Sequence, residues 1–356
     1  MSSLEKKPIK VLVVEDSRVI AEFLIHLLHS DPQIRVVGTA SDGEEALAAA
    51  QRTKPDVITM DIHMPKVNGF EATRSIMENC PTPVVIVSGS ASIDEVATNF
   101  RAIEAGALAV VARPSGIGHP QHEATARELV GTVKLMSEVK VVKRWRGYGR
   151  RSVPLQTSQE DAMPPGGFRA KAVAIGASTG GPIALQTIFS GLPKDFPLPI
   201  LVVQHMSPGF AQGFVEWLSR STGFPIRVAV HGEPLLPAQA YLAPDDFHMG
   251  VQAGNHILLA RDERENGMRP SASFLFRSVK GALGPNAVGV LLTGMGIDGA
   301  EELKNLKEAG AFTIAQDEES SVVHGMPGQA IKIGAAKLVL PPEAIARALT
   351  TIATKS

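Results

Sequence analysis

With Cys80 as its only cysteine, the 356-residue chain can form no intramolecular disulfide, and a thiolate-ligated metal site is not expected. That usage fits a reducing compartment. An excess of charge of either sign is also missing. The formal net charge is −1, which gives no global pull toward nucleic acid or an anionic membrane. No stretch approaches the ~18 consecutive apolar residues of a membrane helix. The opening MSSLEKKPIK carries no apolar run of signal-peptide length. A cytoplasmic protein is expected, with no membrane insertion and no nucleic-acid partner. What the chain does have is a globular balance, 44% apolar and 20% charged, at a length that allows two domains, each with its own core.

Short aliphatic runs at 11–14, 36–37, 57–60, 84–87 and 109–112 alternate with helical patterns near 18–30, 44–53, 70–79, 94–105 and about 122–142. Apolar strands each followed by a helix imply a parallel sheet covered on both faces. Residues 147–167 are poor in aliphatics and rich in Gly, Pro, Ser and Gln, the texture of a linker. Just before and into it, 140–151 is basic with no acid, read as a solvated helix end, with a docking patch for an acidic partner as the sharper alternative. Aliphatic runs resume at 172–175, 200–203, 228–230, 257–260, 288–292 and 312–315, with helical patterns at 183–190, 212–222, 272–283 and 300–309. The expected fold class is therefore α/β throughout, as two doubly wound parallel-sheet domains. The expected divisions are 9–142, a linker at 143–168, and 169–350.

In the first half, Glu15 and Asp16 end the first strand and Asp61 the third. The C-terminal strand ends of an open parallel sheet line its ligand crevice. Carboxylates converging there stay ionised cheaply only around a cation, and an all-oxygen ligand set suits Mg²⁺. Ser88, ending the fourth strand, can hydrogen-bond an anion in that crevice, and Arg113, ending the fifth, can pair with one. A single acid or serine at a strand end would be an ordinary helix cap; this many in one crevice are not. The segments VEDS (14–17) and MDIHMPKVNG (60–69) make residues 9–142 similar to a response-regulator receiver domain, a flavodoxin-like fold. The resemblance implies Asp61 as phosphoacceptor, Mg²⁺ held by Glu15, Asp16, Asp61 and the His63 backbone carbonyl, and Ser88 in contact with the phosphoryl group. Two positions depart from the pattern: Arg113 stands where lysine is usual and Val110 where an aromatic residue is usual. Arginine keeps the charge but not the compact geometry.

In the second half, strand 172–175 runs into Gly176-Ala177-Ser178-Thr179-Gly180-Gly181-Pro182 and then a helix. Gly-x-Ser-x-Gly in a strand-to-helix turn is the nucleophile-elbow pattern. The helix N-terminus behind it favours developing negative charge. Glycine-rich turns of this kind also bind phosphates, so a nucleotide site competes. Two more strand ends favour hydrolysis, one leading to His205 and the other to Asp298. Ser178 would attack a carbonyl, His205 would carry its proton, and Asp298 would orient and stabilise the imidazolium.

The order Ser…His…Asp departs from the Ser…Asp/Glu…His of ordinary α/β-hydrolases. IGASTGGP (175–182), VVQHM (202–206), APDDFHM (243–249), RPS (269–271), AVGVLLTGMGIDGA (287–300) and MPGQAI (326–331) make this half resemble the chemotaxis protein-glutamate methylesterase, a Rossmann-like hydrolase. The resemblance implies Ser178, His205 and Asp298 as the catalytic set, the Met295 N–H as oxyanion donor, and Thr179 beside the nucleophile, with no metal in this half. Ile297 replaces the usual asparagine. Hydrolysis of glutamate γ-methyl esters on chemoreceptors is implied, releasing methanol, with deamidation of receptor glutamines, and with a chemotaxis histidine kinase as phosphodonor to Asp61. Two alternatives stand beside this: a non-enzymatic regulator whose second domain binds a nucleotide, and the same esterase in a non-chemotactic receptor pathway.

Overall fold

A computed structural model describes residues 7–89, 93–139, 141, 168–252 and 254–355. The chain forms two compact units, 1–150 and 151–356. Both the expected linker and most of the basic stretch at 140–151 lie outside the described residues.

The first unit alternates β1 (Ile9–Val14), α1 (Arg18–His29), β2 (Ile34–Ala40), α2 (Gly43–Thr53), β3 (Val57–Met60), α3 (Gly69–Asn79), β4 (Val84–Ser88), α4 (Ile93–Ala105), β5 (Ala109–Ala112) and α5 (His122–Ser137). Its parallel sheet has the order β2-β1-β3-β4-β5. The chain reverses direction across the sheet between β1 and β3, which opens a crevice at their C-terminal ends. β3 and β4 are buried along their whole length, as unbroken aliphatic runs require. β2 is an edge strand with most of its residues part-exposed, so only two aliphatics marked it in sequence. Asp42 and Asn68 cap α2 and α3 by accepting from the backbone N–H groups two and three residues on. α5 ends at Ser137, short of the 142 that its periodicity suggests.

The second unit carries β6 (Ala172–Ala177), α6 (Gly181–Gly191), β7 (Ile200–Gln204), α7 (Ala211–Thr222), β8 (Ile226–Val228), β9 (Ala240–Leu242), β10 (His248–Gln252), β11 (His256–Ala260), α8 (Ala272–Leu283), β12 (Ala287–Leu291), α9 (Ala300–Glu308), β13 (Phe312–Gln316), α10 (Met326–Lys332), β14 (Leu338–Leu340) and α11 (Pro342–Lys355). Its seven strands run β14-β13-β12-β6-β7-β9-β8, all parallel. β10 and β11 form a separate antiparallel hairpin against α8, pinned where the Ser278 hydroxyl bridges the Val251 N–H and carbonyl. β6 lies at the centre with β7 on one side and β12 on the other, so the switch point falls on the strand that leads to Ser178.

Among the described residues no helix is long and apolar enough to cross a membrane. The core of the second unit joins Leu201, Val203, Tyr241, Leu275, Phe276 and Leu303, all fully buried. Gly176 on β6 lets α8 approach closely: a Cβ there would stand 2.6 Å from the Ala272 Cβ and 3.0 Å from the Leu291 Cδ1. Gly176→Val should therefore destabilise the second unit by about 1–3 kcal/mol, seen as a lower urea midpoint for its unfolding transition.

Candidate active site and acidic pocket

The acidic pocket of the first unit forms where β1 and β3 end. Glu15, Asp16 and Asp61 bring one carboxylate oxygen each within 4.8 Å of one another. Glu15 and Asp61 are buried, while Asp16 is exposed. Burial pushes the Glu15 carboxyl up to about 7, the Asp61 charge adds to this, and Arg113 opposes it. Burial likewise raises Asp61 against the pull of Arg113. A cation between these two buried acids would favour their ionised forms, and the oxygen-only donor set fits Mg²⁺. His63 stands two residues beyond Asp61, with its side chain exposed.

Arg113 reaches into the pocket, its Nη2 lying 3.3 Å from Glu15 Oε2 and 3.7 Å from Asp61 Oδ1. A guanidinium is bulkier than an ammonium, and the space comes from Gly89, where a Cβ would meet Arg113 Nη1 at 2.6 Å. The Arg113 N–H also donates to the Ser88 carbonyl at 2.7 Å. Ser88 is buried at the end of β4, beside Arg113 and one strand from Asp61. Val110, opposite Ile86, is only partly buried and offers no ring.

In the second unit, Ser178, His205 and Asp298 follow three adjacent strands, β6, β7 and β12. The Ser178 turn is held by its own backbone. Its N–H donates to Thr293 O at 3.0 Å, and its carbonyl accepts from Gly181 N–H and Gln204 Nε2, each at 2.8 Å. Gly180 sits at φ +81, the left-handed geometry an elbow needs. Any side chain at Gly181 would collide with Gln204 Oε1. Because Ser178 N–H and Gly181 N–H are both engaged within the fold, they are not aimed outward as in a phosphate-cradling loop, which weakens the nucleotide alternative.

His205 is placed by its N–H on Ala177 O at 2.9 Å. Its Nε2 lies 3.0 Å from Asp298 Oδ2. The same oxygen accepts Ala272 N–H at 2.7 Å. Oδ1 accepts the Ser271 hydroxyl at 2.7 Å, Asn266 Nδ2 at 3.1 Å and Ser273 N–H at 3.2 Å. Burial works against ionisation of Asp298, but the His205 hydrogen bond and charge, with Ser271 and Ser273, hold its carboxyl well below the usual carboxylate range. An ionised carboxylate only accepts, so Nε2 must carry the proton. His205 Nδ1 is then the basic nitrogen. It is buried and has no hydrogen-bond partner among the described residues, so it is not yet bonded to Ser178; such bonds commonly tighten only when substrate is present.

The loop after β12 supplies the remaining parts. Gly294 passes so near the nucleophile that a Cβ would stand 2.6 Å from the Ser178 Cβ. Its carbonyl accepts Gly325 N–H at 3.1 Å and Met326 N–H at 2.9 Å. None of the described hydrogen bonds uses the Met295 N–H, while the Met295 and Ile297 side chains are 58% and 59% exposed. Thr179 is tied in through its carbonyl, which accepts the Thr293 hydroxyl at 2.9 Å.

The structure gathers Glu15, Asp16, Asp61 and Arg113 in one pocket, joins His205 to Asp298 and sets Ser178 on the neighbouring strand end, and around these it adds Asn266, Ser271, Ser273, Gln204 and Thr293. Ser271 had a readable signal, a serine directly before an apolar helix, and it does cap α8. Asn266 had a weaker one. With Gly267 it makes an Asn-Gly turn, both residues at positive φ, between the mutually bonded Glu265 and Met268.

Residues 173–349 match the CheB methylesterase family and residues 11–120 the response regulator receiver domain. The chain is 58% identical over 347 residues to a protein-glutamate methylesterase/protein-glutamine glutaminase of Nitrosospira multiformis, with 97% of each chain covered. Identity to a protein of the same name from Geobacter metallireducens is also 58%, over 97% of this chain and 99% of that one. Among solved structures, the Thermotoga maritima CheB methylesterase catalytic domain superposes with a TM-score of 0.50 at 38% identity, covering 51% of this chain and 98% of that one.

The geometry suits acyl transfer, and a fluorophosphonate should modify Ser178 covalently. His205→Ala should slow that labelling by about 10²-fold or more, followed by intact mass. Equal labelling of a Ser178→Ala variant would put the nucleophile elsewhere.

Proposed function

From the premise that the chain belongs to the protein-glutamate methylesterase/protein-glutamine glutaminase family, with a response regulator receiver domain ahead of the hydrolase, we propose that it hydrolyses glutamate γ-methyl esters on chemoreceptors and deamidates receptor glutamines, under control of phosphorylation at Asp61. The observation that carries the serine mechanism is the His205–Asp298 pair, with Nε2 on the carboxylate and Nδ1 left as a base on the strand end next to Ser178.

Ser178 Oγ attacks the ester carbonyl as its proton moves to His205 Nδ1. Asp298 stabilises the imidazolium through Nε2–H without taking the proton. The Met295 N–H receives the oxyanion. Collapse expels the alcohol, which takes the proton from Nδ1 and leaves as methanol; a primary amide would release ammonia by the same path. Water, deprotonated by the same nitrogen, then hydrolyses the acyl-enzyme. No step asks Asp298 to change protonation. Its contribution to stability is present above the unfolded-state pKa and is lost only as pH falls through the depressed folded value.

In the receiver, Asp61 accepts phosphate from a histidine kinase. Glu15, Asp16, Asp61 and the His63 carbonyl would hold Mg²⁺, which when bound offsets the charge of the phosphoryl oxygens. Arg113 and Ser88 contact those oxygens. Unphosphorylated receiver restrains the hydrolase, and phosphorylation relieves the restraint.

Three measurements test this. Ser178→Ala and His205→Ala should each lower methanol release from methylated receptor membranes by roughly 10³-fold or more, and the double variant should lose little beyond either. Losses that multiplied would mean the two residues do not act as a unit. Phosphate incorporation from acetyl phosphate should require Mg²⁺ and vanish in Asp61→Ala, while Arg113→Lys should still be labelled. A fragment spanning 169–356 should release methanol faster than the unphosphorylated full chain; a fragment no faster would rule out restraint by the receiver.

A further inference from the structure

We propose that Asn99 is a positioning residue of the phosphoryl site, whose buried side-chain amide holds the Ser88 hydroxyl oxygen from the α4 side so that its hydrogen is presented to a phosphoryl group on Asp61. The inference rests on reading Asp61 as the phosphoacceptor.

Asn99 lies on α4 and is 1% exposed. Its Nδ2 donates to Ser88 Oγ in a short hydrogen bond. A hydroxyl has one hydrogen and two lone pairs. With a lone pair engaged by Asn99, the hydrogen of Ser88 points away from α4. Ser88 ends β4, whose register with β3 sets Ile86 against Met60, so the serine stands beside the strand end that carries Asp61. The residue after it, Gly89, lies under the Arg113 guanidinium that faces Asp61.

The other half of the amide is under stress. Asn99 Oδ1 is buried with no hydrogen-bond partner among the described residues, an arrangement that costs free energy unless something requires it. Turning the amide over would let Oδ1 accept the Ser88 hydrogen, and the serine would then donate to the helix. The two amide orientations therefore correspond to two states of Ser88. A phosphoryl group on Asp61, which needs a donor, favours the orientation with Nδ2 on the serine. Val110 has no ring or polar group with which to serve this purpose from β5. Asn99 thus gives the phosphoryl site a polar link into α4.

The test uses the full-length chain with acetyl phosphate and Mg²⁺, following phosphate incorporation at Asp61 by intact mass. Asn99→Val and Asn99→Thr are nearly isosteric, and only threonine can donate to Ser88 Oγ. Asn99→Val should be phosphorylated about tenfold more slowly than wild type, the size of one hydrogen bond to a charged acceptor relayed through the serine, and Asn99→Thr should recover most of that rate. In a Ser88→Ala background the difference between the two variants should disappear. Equal rates for the Val and Thr variants, or a difference that persists without the Ser88 hydroxyl, would overturn the proposal. Labelling that survives in Asp61→Ala would instead overturn the phosphoacceptor reading on which it rests.

Discussion

Asp298 is 3% exposed and still ionised, because donors converge on both of its oxygens from His205, Ala272, Ser271, Asn266 and Ser273. Taking a lone carboxylate out of water costs several kcal/mol, so the surroundings must be built around it. α8 begins where it does so that its first N–H groups meet that charge. Ser271 serves twice, capping α8 and donating to Oδ1. β6 must carry glycine at 176 to let the start of α8 come this close. The carboxylate in turn selects the proton on His205 Nε2, which leaves Nδ1 without one in the neutral ring. Strand packing, helix start and imidazole tautomer all answer to one buried charge.

The receiver pocket applies the same physics with the opposite outcome. Glu15 and Asp61 are about as buried as Asp298, yet their carboxyls are pushed upward. The difference lies in the donors. The Asp298 site has fixed N–H and O–H groups on both oxygens, whereas Glu15 and Asp61 share one guanidinium, have one backbone N–H each, from Ser17 and Ile62, and stand against further acids. A site complete in itself suits a residue that must never change charge. A pocket short of positive charge leaves room for a cation to lower both carboxyls.

Both crevices were legible because parallel α/β sheets put ligand-facing residues after strand ends, and polar residues after aliphatic runs stand out. Glu15, Asp61, Ser178 and His205 could be read that way without coordinates. Strands of three residues, such as β9 and β14, are too short to show a period, and α10 hides behind a proline in its first turn. The partners of Asp298 were hidden for another reason. Asn266 and Ser271 meet it across 32 and 27 residues of chain, and no local pattern encodes such a meeting. Nor could sequence say which imidazole nitrogen faces the carboxylate, since that depends on how β7 and the loop after β12 are set against each other.

The departures from the family pattern become intelligible once neighbours are considered together. Arginine at 113 lies in the space that a Cβ at position 89 would take, and that residue is glycine. Valine at 110 removes a ring from β5, while a buried amide on the adjoining α4 already holds the serine that such a ring would be expected to follow. Each change taken singly weakens a resemblance; each taken with its contact leaves a cation facing Asp61 and a held serine at the end of β4. Ile297 is the case without such a partner. Nothing in the structure explains the isoleucine, which is exposed next to Asp298; the carboxylate takes its side-chain amide donor from Asn266 on the Asn-Gly turn.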